Sequence, residues 1–150
     1  MTKLEREIEI QASPERVYDV LADPDCLGEW VTIQEELEEA PSGDLEAGST
    51  LRQRMKIAGQ RFHLSWTVVE ADRPNRIVWD GKGPMHTKAK AIYELSGNGD
   101  GGTRFSYLNE YELPGGVAGR IAARAITRAS GREADRTLER LKKLVEAKPS

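Results

Sequence analysis

Apolar and polar residues alternate with a period of two along most of this chain, and helical spacing replaces the alternation only near its two ends. Glu7 and Glu9 alternate with Ile8 and Ile10, the pattern of a strand with one wet face. Ser13-Pro14 then supplies an N-cap and the proline favoured at a first helical position, so a helix is predicted from Pro14, with Val17, Tyr18 and Leu21 on one stripe. Asp23-Pro24 stops that helix and caps a second short one through Leu27 and Trp30. A strand running directly into two short helices that end on an aromatic residue has the form of a lid over a pocket.

The middle of the chain reads as a meander. Strands are predicted near residues 31–40, 50–58, 61–71, 76–81, 86–96 and 103–113, separated by the turn-rich segments PSGDLEAG, AGQ, DRPN, GKGP and GNGDGG. Connections this short make the sheet antiparallel. From Pro114-Gly115-Gly116 to about Glu146 alanine is frequent and there is no internal proline, which predicts one long closing helix with Gly131 as a point of bending. Residues 146–150 read as a loose tail. The expectation is one α+β domain over residues 1–150.

Strand parity assigns the inner face. Leu51, Gln53, Met55 and Ile57 form one row, and Phe62, Leu64, Trp66 and Val68 a second. Ile77 and Trp79, then Ala89, Ala91, Tyr93 and Leu95, then Phe105, Tyr107, Asn109, Tyr111 and Leu113 continue it. Such aromatic rows serve equally as plain core or as pocket lining. Gln53, Thr87 and Asn109 are polar intruders in these rows, and each needs a hydrogen bond, a water or a ligand. For Asn109 the competing account is a core amide satisfied by a neighbouring tyrosine or backbone group. On the last helix, a phase of about 100° per residue carries the stripe of Leu138, Leu141 and Val145 back through Ala134, Thr127, Ala123 and Arg120. Bulky residues anchor one end and small ones leave space at the centre, unless a bend at Gly131 rephases the first half toward Val117 and Ile121.

Composition narrows the function. The chain has 150 residues, 38% hydrophobic and 31% charged, with a net charge of −3, which disfavours nucleic acid as the main partner. The charged opening MTKLEREIEI lacks the apolar run of a signal peptide, and no stretch has the length of a membrane span, so a cytoplasmic location without stable membrane insertion is expected. Cys26 has no partner for an internal disulfide and reads as a small buried hydrophobe. With only His63 and His86, neither at ligand spacing, no metal or other cofactor is called for. The GxGxxG match at Gly97–Gly102 precedes a strand rather than a helix and is a hairpin loop. No serine sits in a nucleophile elbow, and His63 belongs to the outer face. His86, beside the GKGP turn, is the freer acid or base, although an exposed loop histidine without a role is commoner. Arginines at 120, 124, 128, 132, 136 and 140 wind around the helix, where Glu133, Asp135 and Glu139 can pair with the solvent-facing ones. Arg120, and with it Arg124, lies by phase toward the sheet near the helix start, with the reach to clamp an anion, or to form a structural ion pair or a snorkelled contact.

The order of strand, two short helices, six strands and long helix resembles the helix-grip fold of the START-like (SRPBCC) superfamily. Ala12-Ser13-Pro14-Glu15-Arg16-Val17, the following Asp-Pro and Trp30, Arg76-Ile77-Val78-Trp79, and Gly102-Thr103-Arg104 before Tyr111-Glu112-Leu113-Pro114-Gly115-Gly116 are similar to polyketide cyclase/dehydrase-like members. The resemblance implies a curved seven-stranded antiparallel sheet gripping the C-terminal helix around a cavity. It does not choose among the carriers, enzymes, toxins and regulators built on that scaffold.

The leading expectation is therefore a module that binds a small, largely hydrophobic, lipid-, polyketide- or aromatic-like molecule, as monomer or homodimer. A cyclase or dehydratase acting by orientation and enolate stabilisation is the alternative, with Arg120 or Asn109 holding the enolate and Tyr107 or His86 moving a proton; a regulatory interaction protein is the third. Candidate ligand contacts are Trp30, Gln53, Met55, Trp66, Trp79, Ala91, Tyr93, Tyr107, Asn109 and Tyr111 from lid and sheet, with Arg120, Ala123 and Thr127 from the helix. No residue is assigned as catalytic.

Overall fold

The computed structural model describes the backbone of residues 2–112 and 117–147, and the side chains of 2–112 and 124–147. Seven strands, β1 (Thr2–Ile10), β2 (Gln34–Glu39), β3 (Thr50–Ile57), β4 (Gln60–Asp72), β5 (Arg76–Lys82), β6 (Lys88–Gly97) and β7 (Thr103–Tyr111), form one antiparallel sheet in the order β1-β7-β6-β5-β4-β3-β2. β1 closes against β7, so the two segments joined by helices, β1 and β2, become the sheet's edges. Register shifts interrupt the β2–β3 and β4–β5 pairings, the irregularities by which a sheet bends.

The lid forms as its caps dictate. Ser13 Oγ accepts the Arg16 amide at the start of α1 (Pro14–Leu21), and Asp23 caps a 3-10 turn, Pro24–Cys26, that leads into α2 (Leu27–Trp30). Val17, Leu21, Leu27 and Trp30 are buried in the main core with Ile10, Phe105, Leu138, Leu141 and Val145. The hairpin at Gly97–Gly102 is a loop closed by Asn98, whose Oδ1 accepts the amides of Asp100 and Gly102 while Gly99 and Gly101 take positive φ.

The closing helix, α3 (Val117–Ala147), runs without interruption through Gly131 and crosses two separate apolar patches. Its C-terminal half sits in the main core; Ile126 and Ala129 pack in a second cluster with Ile57, beside Ile33, Phe62 and Tyr111. This corrects two expectations. The helix has bulky anchors at both ends of its described side chains, and Thr127 is exposed, because the first half turns its Ile126, Ala129 and Ser130 face toward the sheet. Glu146 also departs from the expected tail over 146–150: it is helical, accepts the Gln11 amide at 2.8 Å and pairs with Lys142, while residues 148–150 lie outside the described residues. Arg6 crosses Gly131, where a Cβ would come within 3.2 Å of its guanidinium, and binds Asp135 at 2.8 Å. Asp135 thus ties α3 to β1, while Glu133 takes the arginine of its own helix, Arg136.

Leu141 is fully buried where α3 meets β1 and the lid, so Leu141→Ala should destabilise the fold by about 2–5 kcal/mol in urea denaturation, with the slope unchanged. The Lys142 ammonium, then the Gln11 amide, hold the Glu146 carboxyl below its ordinary 4.5. A depressed carboxylate stabilises above its unfolded pKa and loses that contribution as pH falls through the folded one. Glu146→Gln should accordingly be less stable than the parent at neutral pH, and the difference should close as pH drops below 4.5, measured by thermal unfolding.

Candidate ligand-binding site

Between the inner face of the sheet and α3 lies a cavity of about 160 Å³. The register explains why the sheet leaves room for it. Ala91 stands directly between Trp79 on β5 and Asn109 on β7, and Ala89 between Gly81 and Tyr111, so methyl groups or hydrogen occupy the centre of rows whose flanks carry large side chains. Gly81 is required by this packing: a Cβ there would come within 2.7 Å of the Trp66 ring, which lies against its backbone. From the opposite side the helix contributes Ile126, Ser130, Glu133, Ala134 and Thr137.

One ring organises the apolar wall. Tyr93 meets Trp30, Trp79 and Phe105 edge to face at centroid distances of 6.1, 6.3 and 5.6 Å, and stacks on Tyr107 at 5.7 Å. Burial pushes the Tyr93 phenol far above its ordinary pKa. Burial also raises that of Tyr107, opposed by the hydrogen bond from Asn109. Both therefore stay protonated across the physiological range, as hydroxyl groups rather than bases.

The three polar intruders separate once partners are known. Gln53 is saturated: its Oε1 accepts the Trp66 indole N–H at 2.8 Å, and its Nε2 donates to Gln34 Oε1 on β2. Thr87 donates to the Pro84 carbonyl at 2.7 Å and closes the turn at the cavity's rim. Asn109 is half satisfied, its Nδ2 donating to the Tyr107 hydroxyl at 3.1 Å while Oδ1 is buried without a partner among the described residues. The indole N–H groups of Trp30 and Trp79 share that condition. Each such group costs about 1–3 kcal/mol if left unmet.

Of the predicted contacts, Trp30, Gln53, Met55, Trp66 and Trp79 line this cavity together with Ala91, Tyr93, Tyr107, Asn109 and Tyr111. Thr127 does not; it is exposed, one position off the face that carries Ile126 and Ser130. The side chains of Arg120 and Ala123 lie outside the described residues. Sequence reasoning missed Glu133, assigned to the solvent face for its charge. Its carboxylate accepts the Thr32 hydroxyl, which also meets Thr137 Oγ1 at 2.9 Å, pinning the end of the lid to α3. A carboxylate three residues after Ser130 and four before Thr137, at helical spacing from both, was the available signal. His86 is exposed, and it follows Met85 in a turn where both take positive φ. No cluster of potential metal ligands occurs among the described residues, and no helix there is long and apolar enough to cross a membrane.

Residues 1–146 match the family of polyketide cyclase/dehydrase and lipid transport proteins. The chain belongs to that family. Toxin Rv0910 of Mycobacterium tuberculosis is 27% identical to it over 96 residues, 64% of this chain and 67% of the relative. The family fold recurs in a Thermus thermophilus protein (TM-score 0.80, 22% identity, 99% of this chain and 100% of that one) and in the ZhuI aromatase/cyclase of Streptomyces sp. R1128 (TM-score 0.80, 14% identity, 97% and 93%). The Aha1 dimer of Colwellia psychrerythraea also shares it, at a TM-score of 0.65, 20% identity and 97% coverage of each chain. At these identities the likeness is one of fold. It includes the seven-stranded antiparallel sheet and the long C-terminal helix, as the resemblance implied.

Cutting the Gln34–Gln53–Trp66 chain should be costly whatever occupies the cavity. Gln53→Leu strands the Trp66 N–H and the Gln34 amide, and should destabilise the protein by about 1–3 kcal/mol in chemical denaturation.

Proposed function

We propose that this family member binds a small, largely apolar molecule in the cavity between sheet and α3. The observation that carries the reading is the cavity itself, walled by tryptophan, tyrosine and aliphatic side chains and entered by only a few polar atoms. Protein interiors are otherwise packed to crystal density, so space maintained by Ala89, Ala91 and Ala134 opposite large aromatics is a feature of the sequence. Membership in a family of cyclases, dehydrases and lipid transporters supports the same reading.

A second reading, cyclase-type chemistry, is favoured by one detail. The buried, protonated Tyr107 hydroxyl is oriented by Asn109 inside the cavity, where it can donate to a developing enolate oxygen. That chemistry asks for orientation of a folded chain and a proton donor, both of which the wall supplies.

Binding is tested with toluene as a minimal apolar probe. It should raise the melting temperature and change tryptophan fluorescence saturably, and about a hundredfold excess over Kd corresponds to about 2.7 kcal/mol of added stability. Ala91→Leu, which fills the space between Trp79 and Asn109, should remove both effects while leaving a folded protein by circular dichroism. Toluene without effect on the parent protein would contradict the proposal. For the second reading, turnover of a poly-β-ketone substrate should fall at least tenfold in Tyr107→Phe with binding retained.

A further inference from the structure

The two ends of the sheet differ in charge. Because the strands alternate in direction, the β3–β4 and β5–β6 connections and the passage from β7 to α3 all lie at one end. There the sequence sets like charges directly opposite each other: Lys82 pairs with Lys88 across the β5–β6 connection, and Lys56 with Arg61 across the β3–β4 hairpin. Opposed like charges destabilise a sheet. Arg61 is relieved by Glu35, whereas Lys56, Lys82 and Lys88 are exposed and have no ion pair among the described residues. Glu112 turns its carboxylate to the Lys88 backbone amide, at 2.9 Å, and not to an ammonium.

The last helix opens in the same way. Residues 117–132 contain Arg120, Arg124, Arg128 and Arg132 and no acid, although the positive end of a helix dipole favours carboxylates in the first turn. Arg124, Arg128 and Arg132 are exposed, likewise without ion pairs among the described residues. Acids collect elsewhere. Asp72 and Asp100 flank the connections at the opposite end, and α1 and the turn after it, which leave β1 at that end, hold Glu15, Asp19, Asp23 and Asp25; Arg73 is paired there with Asp19. A chain of net charge −3 thus carries one cationic end.

The cavity reaches the surface at that end. Gly83, Pro84, Thr87 and Lys88 belong to its lining, and the turn they form holds Met85 out in solvent, 79% exposed. Met85 and His86 take φ of 57° and 62°, values that residues other than glycine rarely adopt. Gly83 keeps the turn in place, since a Cβ there would come within 2.8 Å of Thr87 Oγ1. An apolar side chain held in water amid unpaired cations suits a partner that is anionic at its surface and apolar beneath. Nucleic acid has the first property alone, and among the described residues this end exposes no Phe, Tyr or Trp to stack on bases.

We propose that this end docks on an anionic lipid surface. Lys56, Lys82 and Lys88 meet the headgroups, Met85 enters between them, and the arginines of α3 add longer-range attraction, which sets the cavity mouth against a bilayer that can supply or receive an apolar molecule. The docking is peripheral, as no helix among the described residues is long and apolar enough to cross a membrane. It goes beyond the binding reading and depends on the rim, whatever fills the cavity.

The test is sedimentation of the full chain with vesicles of phosphatidylcholine, alone or mixed with phosphatidylserine. The protein should bind the mixed vesicles, ignore the neutral ones, and come off as salt rises. Replacing both lysines of the opposed pair, Lys82→Gln with Lys88→Gln, should weaken binding by about thirtyfold. The melting temperature of that variant should hold or rise, because the repulsion across the strands is gone. Met85→Asn, which suits the left-handed backbone, should weaken binding by about tenfold. Equal binding to both kinds of vesicle, or to neither, would overturn the docking, as would full binding by either variant. Preference for a single-stranded oligonucleotide over the mixed vesicles would overturn lipid as the partner. Vesicle binding by a protein that shows no response to toluene would support the docking while removing the occupant proposed for the cavity, so the two readings fail separately.

Discussion

A helix laid across a sheet closes onto it unless something holds it off, because interiors gain dispersion energy from every gap that fills. Here the support is the pair of apolar seats under α3. Leu138, Leu141 and Val145 are sunk among Ile10, Val17, Leu21 and Phe105 at one end, and Ile126 and Ala129 rest with Ile57 at the other. Between those seats the helix presents Ser130 and Ala134 while the sheet presents Ala89 and Ala91. The lid is fastened to the same stretch by Thr32, Glu133 and Thr137, so the span that faces the cavity is held by hydrogen bonds rather than by collapse. The location of the cavity and the absence of bulk at its centre both follow from this suspension.

The inner face of the sheet was legible because a period of two survives any error in strand ends. β2 begins at Gln34 and β6 at Lys88, each two or three residues after the expected start, yet Leu51, Trp66, Trp79, Tyr93 and Phe105 all face inward as parity requires. Val78 is the exception, buried although it alternates with Ile77 and Trp79; it pairs with Glu70 and Ile92 beside the bulge in β4. Helical phase proved less durable. Extrapolated from Leu138 over three turns it reached Thr127, whereas the second seat turns the neighbouring Ile126 and Ser130 inward. A local pattern cannot report a contact made with Ile57, on a strand far away in the chain.

The polar residues show the same boundary in chemical form. Gln53, Thr87 and Asn109 look alike in the sequence, each a polar side chain in an apolar row. Only cross-strand pairing distinguishes an amide saturated by Gln34 and Trp66 from a hydroxyl spent on a turn and an amide with one open atom. Tryptophan hides its condition even better, since an indole N–H is invisible to any hydrophobicity pattern until its neighbours are known. Glu133 was hidden by the reverse bias: a charge on a helix reads as solvent-facing, although this one lines the cavity and takes up the Thr32 hydroxyl.

Whether the space under α3 persists can be asked without knowing any ligand, by diffraction from crystals pressurised with xenon. The account predicts ordered xenon between Trp79, Ala91 and Ala134 with α3 unmoved on its two seats. Crystals without xenon there, in which α3 has closed onto Ala89 and Ala91, would contradict it.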